Sequence, residues 1–299
     1  MEEDPLGYYS RQGPISDPQD EGHHFDQLPR DVSKLREIVQ GLVIHVSWAS
    51  RYGVSVPEDR NQELQLRAVS DKLKQIRKLN GRPVMERRPP EKRLLGNCRD
   101  FSIMLCSMLR HLGIPARARC GFATYFLPNH FEDHWICEYW AKTGRWVMVD
   151  AQLDDLQRDK LEIDFDPLDV PDDRFIVAGK AWQTCRSGMA DADTFGINDL
   201  HGLWFVRGNL GRDLASLNKI ELLPWDAWGL FDKEEKSISN SDLVLLDRAA
   251  VVSQRDNGGF ADLRSFYLDN GLLRVPRVIA SYVRSGREEV DIGGRFNLQ

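Results

Sequence analysis

The sequence predicts an α+β protein, and three observations carry that expectation. A helical pattern begins at a capped cysteine near residue 98, two aromatic-rich strand patterns joined by a glycine turn follow at 134–150, and helical periodicity recurs on both sides of this core.

Upstream, Val32, Leu35, Ile38, Val39, Leu42 and Val43 fall at helical spacing between Asp31 and Val46. A second helix is expected after Pro57, with Leu64, Leu66, Val69, Leu73 and Ile76 on one face and Asn80-Gly81-Arg82-Pro83 as its stop. Residues 82–93 then form a Pro-broken basic loop containing Arg82, Arg87, Arg88, Lys92 and Arg93. Such a run serves either as a solvated connector or as an attraction for an acidic substrate group. Downstream, 154–173 reads as a strongly acidic loop, and helices are expected near 211–221 and 260–270. The cluster Leu223-Pro224-Trp225-Asp226-Ala227-Trp228-Gly229 reads as core packing. No linker stands out, so the expected organisation is a flexible acidic lead (1–28), one composite domain (29–285) with its core at about 96–152, and a flexible tail (286–299).

Composition narrows the function. With 41% hydrophobic and 29% charged residues, the chain can bury a sizeable core. Its net charge of −6, with no RNA-binding signature or zinc-finger spacing, argues against nucleic acid as a partner. No apolar run approaches the roughly 18 residues of a membrane span. The acidic start Met1-Glu2-Glu3-Asp4-Pro5 is unlike a signal peptide, so a cytoplasmic protein without membrane contact is expected. The cysteines, Cys98, Cys106, Cys120, Cys137 and Cys185, are an odd set without a CxxC pair. A disulfide framework and a metal cage are therefore not expected, nor is a cofactor. One reactive thiol among inert, buried ones fits the count.

Cys98 is the thiol whose position favours reactivity. Asn97 is a good N-cap, and Asp100 three residues on makes something close to a capping box. Phe101, Met104, Leu105, Met108, Leu109 and Leu112 continue the helix, which Gly113 and Pro115 end. Cys98 then occupies the first helical position, where unpaired amides and the helix dipole favour a thiolate. A buried structural cysteine is the competing reading. Cys106, in the middle of the same helix, reads as core.

After a strand at Ala116–Phe122 come His134-Trp135-Ile136-Cys137-Glu138-Tyr139-Trp140 and Arg145-Trp146-Val147-Met148-Val149-Asp150, separated by Lys142-Thr143-Gly144. A two-residue turn would set Asp150 opposite Cys137, on the face away from His134. A three-residue turn with Gly144 left-handed pairs Ala141 with Arg145 and Asp150 with Ile136, placing Asp150 diagonally across from His134. Glycine is the residue that turn requires.

Taken together, Gly-x-Cys-x-Asp at a helix start, Gly-Ile-Pro-Ala-Arg leading into a strand, His-Trp opening a strand and Arg-Trp-Val-x-Val-Asp closing the next resemble the transglutaminase-like superfamily. The match covers about a fifth of the chain, and its specificity lies in the order and spacing of the set. The resemblance implies a papain-like fold, in which a helix bearing the nucleophile packs on an antiparallel sheet, here with extra N- and C-terminal helices. It also implies a triad of Cys98 as nucleophile, His134 as base and Asp150 orienting that base. Where the family often has Pro-Thr after the aspartate, this chain has Ala151-Gln152, which makes a peptide-crosslinking substrate less assured. The calcium-dependent animal members carry flanking β-sandwich domains, and neither an EF-hand loop nor enough chain for them is present, as in a bacterial-type single-chain member. A tryptophan upstream of the cysteine often serves the oxyanion in this family. Trp48 is the candidate here, with helix packing as its alternative.

The implied chemistry is attack of a thiolate on an amide or acyl carbonyl, with the imidazole moving the proton, in hydrolysis or in transfer to an amine. The substrate would be a peptide, a protein or a small-molecule amide. A non-catalytic protein-binding module on the same fold is the alternative. Ser216-x-x-Lys219 with Lys142-Thr143-Gly144 stands in the wrong order for a penicillin-binding site. His130 and His134, with Glu132 and Asp133 between them, lack a clear third metal ligand.

Overall fold

The structure, a computed structural model, describes residues 4–254 and 257–293. In chain order its helices are α1 (Pro5–Tyr9), α2 (Val32–Leu42), α3 (Val69–Leu79), α4 (Cys98–His111), α5 (Asp155–Lys160), α6 (Ala178–Arg186), α7 (Leu203–Leu217), α8 (Asn240–Ser253) and α9 (Phe260–Asp269). The strands are β1 (Val43–His45), β2 (Leu94–Gly96), β3 (Ala116–Ala123), β4 (Phe131–Trp140), β5 (Trp146–Val149), β6 (Phe175–Val177), β7 (Phe195–Ile197), β8 (Leu200–His201), β9 (Asp226–Ala227), β10 (Val278–Val283) and β11 (Gly286–Asp291). Helices and largely antiparallel strands make the fold α+β, as the sequence predicts.

Where one composite domain is expected, the chain forms two compact units. One takes in Leu6–Ala118 and Trp135–Pro171, and the other Met1–Pro5, Arg119–His134 and Asp172–Gln299. The division falls inside β3 and β4, so no linker of distinct composition marks it.

In the first unit, Asp31 caps α2 by accepting the Lys34 amide, and the apolar positions of the helix are buried as its periodicity requires. The pattern read as helix to Val46 stops at Leu42, because Val43, Ile44 and His45 pair in parallel with Leu94, Leu95 and Gly96. β-branched residues suit that extended ladder better than a helix end. Helix α4 is buried along its whole length from Cys98 to Arg110. The acidic lead is held to it: Ser107 Oγ donates to the Ser16 carbonyl (2.6 Å), Arg110 donates to Ser16 Oγ (2.7 Å), and Tyr8, Tyr9, Ile15, Phe25 and Leu28 are buried. The expectation of a flexible lead fails here because a few irregularly spaced anchors, invisible to periodicity, supply the contacts. The acidic stretch after 153 also differs from the expected loop, since the Asp154 carboxylate caps α5 by accepting the Gln157 amide. In the basic loop, Arg88 and Arg93 are buried. Arg88 binds the carbonyls of Asn80, Arg82, Pro83 and Glu86, so its charge organises the loop rather than facing solvent.

In the second unit, β3 pairs antiparallel with β6, β4 in parallel with β7, and β10 lies between β9 and β11. Helix α7 begins at Leu203, eight residues before the expected start, and ends at Leu217. It is buried from Phe205 onward, and its Asp213 makes a two-point ion pair with Arg119 at 2.9 Å on both oxygens. Helices α6 and α8, which the periodicity does not announce, pack together. A Cβ on Gly179 would lie 2.3 Å from Ser253 Oγ, so their approach depends on that glycine. The expected tail carries β11 over 286–291, and 294–299 lie outside the described residues.

Candidate active site

Cys98 opens α4, 7% exposed. The turn into the helix is tight. A Cβ on Gly96 would lie 2.8 Å from Val43 Cγ1 and 3.0 Å from Asp100 Oδ2. Asp100 is fully buried. Its Oδ2 accepts the Asn97 amide at 3.0 Å, and its Oδ1 accepts Lys72 Nζ at 2.8 Å and Arg99 at 2.9 Å. Burial pushes Lys72 down to about 8, against the pull of Asp100. Only half of the expected capping box carries weight: the Asn97 side chain is buried with neither Oδ1 nor Nδ2 hydrogen-bonded. An unmet buried amide costs about 1–3 kcal/mol. Nothing in the sequence separates that state from an ordinary cap.

The β1–β2 ladder brings Trp48 toward the same end of the sheet. His45 pairs with Gly96, the Val46 amide donates to the Gly96 carbonyl (2.9 Å), and the Trp48 amide donates to the His45 carbonyl (3.0 Å). Because the strands are parallel, Trp48 and Cys98 both emerge from their C-terminal ends. The Arg51 guanidinium lies over the Trp48 ring at 4.5 Å. The indole N–H has no protein acceptor among the described residues.

The hairpin takes the three-residue turn. Gly144 has φ 78°, the Ala141 amide donates to the Arg145 carbonyl, and the register pairs Trp140 with Trp146, Tyr139 with Val147, Glu138 with Met148 and Cys137 with Val149. Continuing that register by one residue would bring Asp150 opposite Ile136, although β5 ends at Val149 and the Asp150 amide donates to the Pro167 carbonyl at 2.8 Å. Asp150 is fully buried, and its Oδ1 accepts the amides of Gln152 (2.9 Å) and Leu153 (3.4 Å). The Ala151-Gln152 pair that departs from the family pattern is thus part of the loop that fixes the carboxylate. Gln40 of α2 supports that loop by donating to the Ala151 and Leu153 carbonyls at 3.2 Å. On α4, Ser102 Oγ lies 3.1 Å from the Cys98 carbonyl and 2.9 Å from the Trp135 carbonyl, a donor shared between them.

His134 is the last residue of the segment that the second unit contributes to β4. It alternates onto the same face of that strand as Ile136. The imidazole is 1% exposed and ringed edge-on by Phe126 (4.9 Å), Tyr125 (5.9 Å) and Phe175 (6.3 Å). Sequence reasoning missed this wall, because Tyr125 and Phe126 sit in a loop without periodicity. Asp133 just before it accepts a hydrogen bond from Asn209 (2.8 Å), and burial pushes its carboxyl up.

Glu132 is pushed up to about 7 by burial first and by Asp133 second. A folded value raised above the unfolded one means that the native state keeps a proton the unfolded chain has lost. Stability therefore falls as pH rises through the window from about 4.5 to 7. Glu132→Gln should raise the melting temperature relative to the parent at pH 8.5, and the gain should vanish near pH 4. A gain that is the same at both pH values would rule out this titration.

A family profile described as the transglutaminase-like superfamily matches residues 57–151, a stretch containing Cys98, His134 and Asp150 but not Trp48. Among solved structures, a "putative cysteine protease" from Cytophaga hutchinsonii is 17% identical over 48% of this chain and 41% of its own, with a TM-score of 0.32. The chain thus spans less than half of that protein. No curated protein matches the chain.

The other thiols are placed as inert groups. Cys106, Cys120 and Cys137 are fully buried. Cys137 is held well above the ordinary thiol range by burial and by its neighbour Cys106. Cys185 sits in the last turn of α6. Burial, with help from Asp191, pushes it up to about 11. No helix among the described residues is long and apolar enough to cross a membrane.

Proposed function

We propose that this chain is a thiol enzyme that acts on an amide or acyl carbonyl through an acyl-cysteine intermediate, with Cys98 as nucleophile, His134 as base and Asp150 orienting the base. The observation that supports this reading is the hairpin register, Cys137 opposite Val149, whose continuation by one residue would bring Asp150 opposite Ile136. Ser102 adds support, since it ties the Trp135 carbonyl to the first turn of α4.

In this reading the imidazole takes the Cys98 proton, and the thiolate adds to the carbonyl carbon. The carbonyl electrons move to oxygen, and the imidazolium returns its proton to the departing amine. Water or a second amine then attacks the thioester, and collapse releases the thiol. Asp150, whose Oδ1 is fixed by the Gln152 and Leu153 amides, supports the imidazolium through its negative charge. The developing oxyanion calls for fixed donors. The Cys98 amide at the helix start, the Trp48 indole and the unmet Asn97 amide are the candidates. The partners are amide or acyl substrates, peptide, protein or small molecule, met in the cytoplasm without nucleic acid, membrane or cofactor.

Limiting iodoacetamide near pH 6 followed by peptide mapping tests the reading. Labelling should fall on Cys98 and be lost in His134→Ala. Cys185, held to about 11, carries only about one thiolate in 10⁵ at that pH and should stay unlabelled. Labelling of Cys98 that does not depend on His134 would mean no thiolate–imidazolium pair, and the binding-module reading would replace the enzyme.

A further inference from the structure

Away from Cys98, the first unit holds a cavity of about 370 Å³ lined by Arg36, Gln40, Tyr52, Arg87, Asp154 and Asp155, among others. That volume suits a small organic molecule rather than trapped water. A narrower cleft sharing Gln40, Tyr52 and Asp154 continues from it to Gln152.

The charges around it are unevenly satisfied. Arg36 is 9% exposed, and its single protein hydrogen bond among the described residues is a 3.5 Å contact to the Leu153 carbonyl. Its Nε is buried with no partner at all. A guanidinium cannot shed a proton to escape this cost, so a buried one calls for an anion. Arg87, at the cavity wall, has no carboxylate partner among the described residues. Buried Arg93 lies close enough for Arg87 to disfavour its charge. The one buried acid, Asp154, is already engaged, with Oδ1 accepting the Gln157 amide (3.0 Å) and Oδ2 accepting the Tyr52 hydroxyl (2.8 Å). Two further acids, Glu37 and Asp155, line the cavity as exposed residues. The interior therefore lacks an anion, and the rim can hold a cation.

We propose that this cavity binds the free carboxylate of a small zwitterionic amino compound, such as an amino acid or dipeptide, on Arg36 and Arg87, with its ammonium group toward Glu37 and Asp155. The planar fork of Arg36 matches a carboxylate at two points. The acidic rim selects against a polyanion such as phosphate. Ligand bound here would touch the 151–156 loop, whose first residues fix Asp150, so occupancy would be felt at that carboxylate. The site stands on its own geometry and does not depend on the reaction assigned to Cys98.

Thermal shift and calorimetry on the intact chain test it with four probes: the dipeptide Ala-Gln, its C-terminal amide, its N-acetyl derivative and inorganic phosphate. Free Ala-Gln should bind and raise the melting temperature. The amide should bind about tenfold or more weakly, as loss of a charged hydrogen-bond pair implies, and the N-acetyl form more weakly than the parent. Arg36→Gln should reproduce the loss seen with the amide. Exposed Arg87→Gln, which leaves the fold undisturbed, should weaken binding several-fold and guards against a misfolded Arg36 variant. Equal binding of dipeptide and amide, binding untouched in both variants, or phosphate binding as well as the dipeptide would each overturn the proposal.

Discussion

Cys98→Ala is expected to abolish acyl-enzyme formation and to lower turnover by roughly 10⁶-fold on any verified substrate, the scale on which removing a nucleophile from a coupled triad acts. The fold should survive. The thiol sits at the very start of α4, where its loss removes packing on the order of 1 kcal/mol. The helix start is held instead by Asp100, Lys72 and Arg99. Asp150→Asn should cost less, roughly 10⁴-fold, because it removes charge support and disturbs the tautomer while leaving the nucleophile in place. Its Oδ1 contacts to the Gln152 and Leu153 amides can be kept by an amide oxygen, so the loop should hold. Intact-mass detection of a trapped acyl adduct, with circular dichroism as the fold control, separates these outcomes. Turnover by Cys98→Ala at the parent rate would mean that the nucleophile is elsewhere.

The elements that the sequence makes legible are those governed by local chemistry. The start of α4 follows from Asn97, Asp100 and the apolar spacing behind them. The hairpin register follows from a glycine that must be left-handed, and Gly144 is. Both rules act within a few residues, so a single sequence contains them. What remained hidden depends on partners distant in the chain. The strand at Val43–His45 exists because Leu94–Gly96 runs beside it, and only that pairing brings Trp48 to the end of the ladder where Cys98 emerges. The packed lead depends on Ser16 meeting Ser107 and Arg110. Asn97 illustrates the limit most directly. Its type and position read as a cap, yet its amide is left without a partner, and only the three-dimensional count of donors and acceptors reveals it.

The second large effect is expected at Asp100, the acid of the Gly-x-Cys-x-Asp pattern. Its carboxylate pairs with both Lys72 and Arg99, and all three side chains are fully buried. Removing one member of a buried ion cluster leaves the others uncompensated, which costs about 3–5 kcal/mol. Asp100→Asn keeps the shape and can still accept the Asn97 amide, but it cannot neutralise two cations, so its loss should approach that range in denaturant unfolding. The pH dependence gives the sign. Lys72 is held at about 8 in the folded chain against 10.5 as its ordinary value, so between these values the unfolded chain binds the extra proton and stability rises with pH. Without the carboxylate the native value falls further, and that rising limb begins at lower pH. The deficit of Asp100→Asn relative to the parent should therefore be largest near pH 6 and shrink toward pH 9.5 as Lys72 loses its charge. Lys72→Met in the Asp100→Asn background should recover part of the loss at pH 6 and little at pH 9.5. A deficit under about 1 kcal/mol, or one independent of pH, would mean that the cluster does not hold the charges its geometry implies.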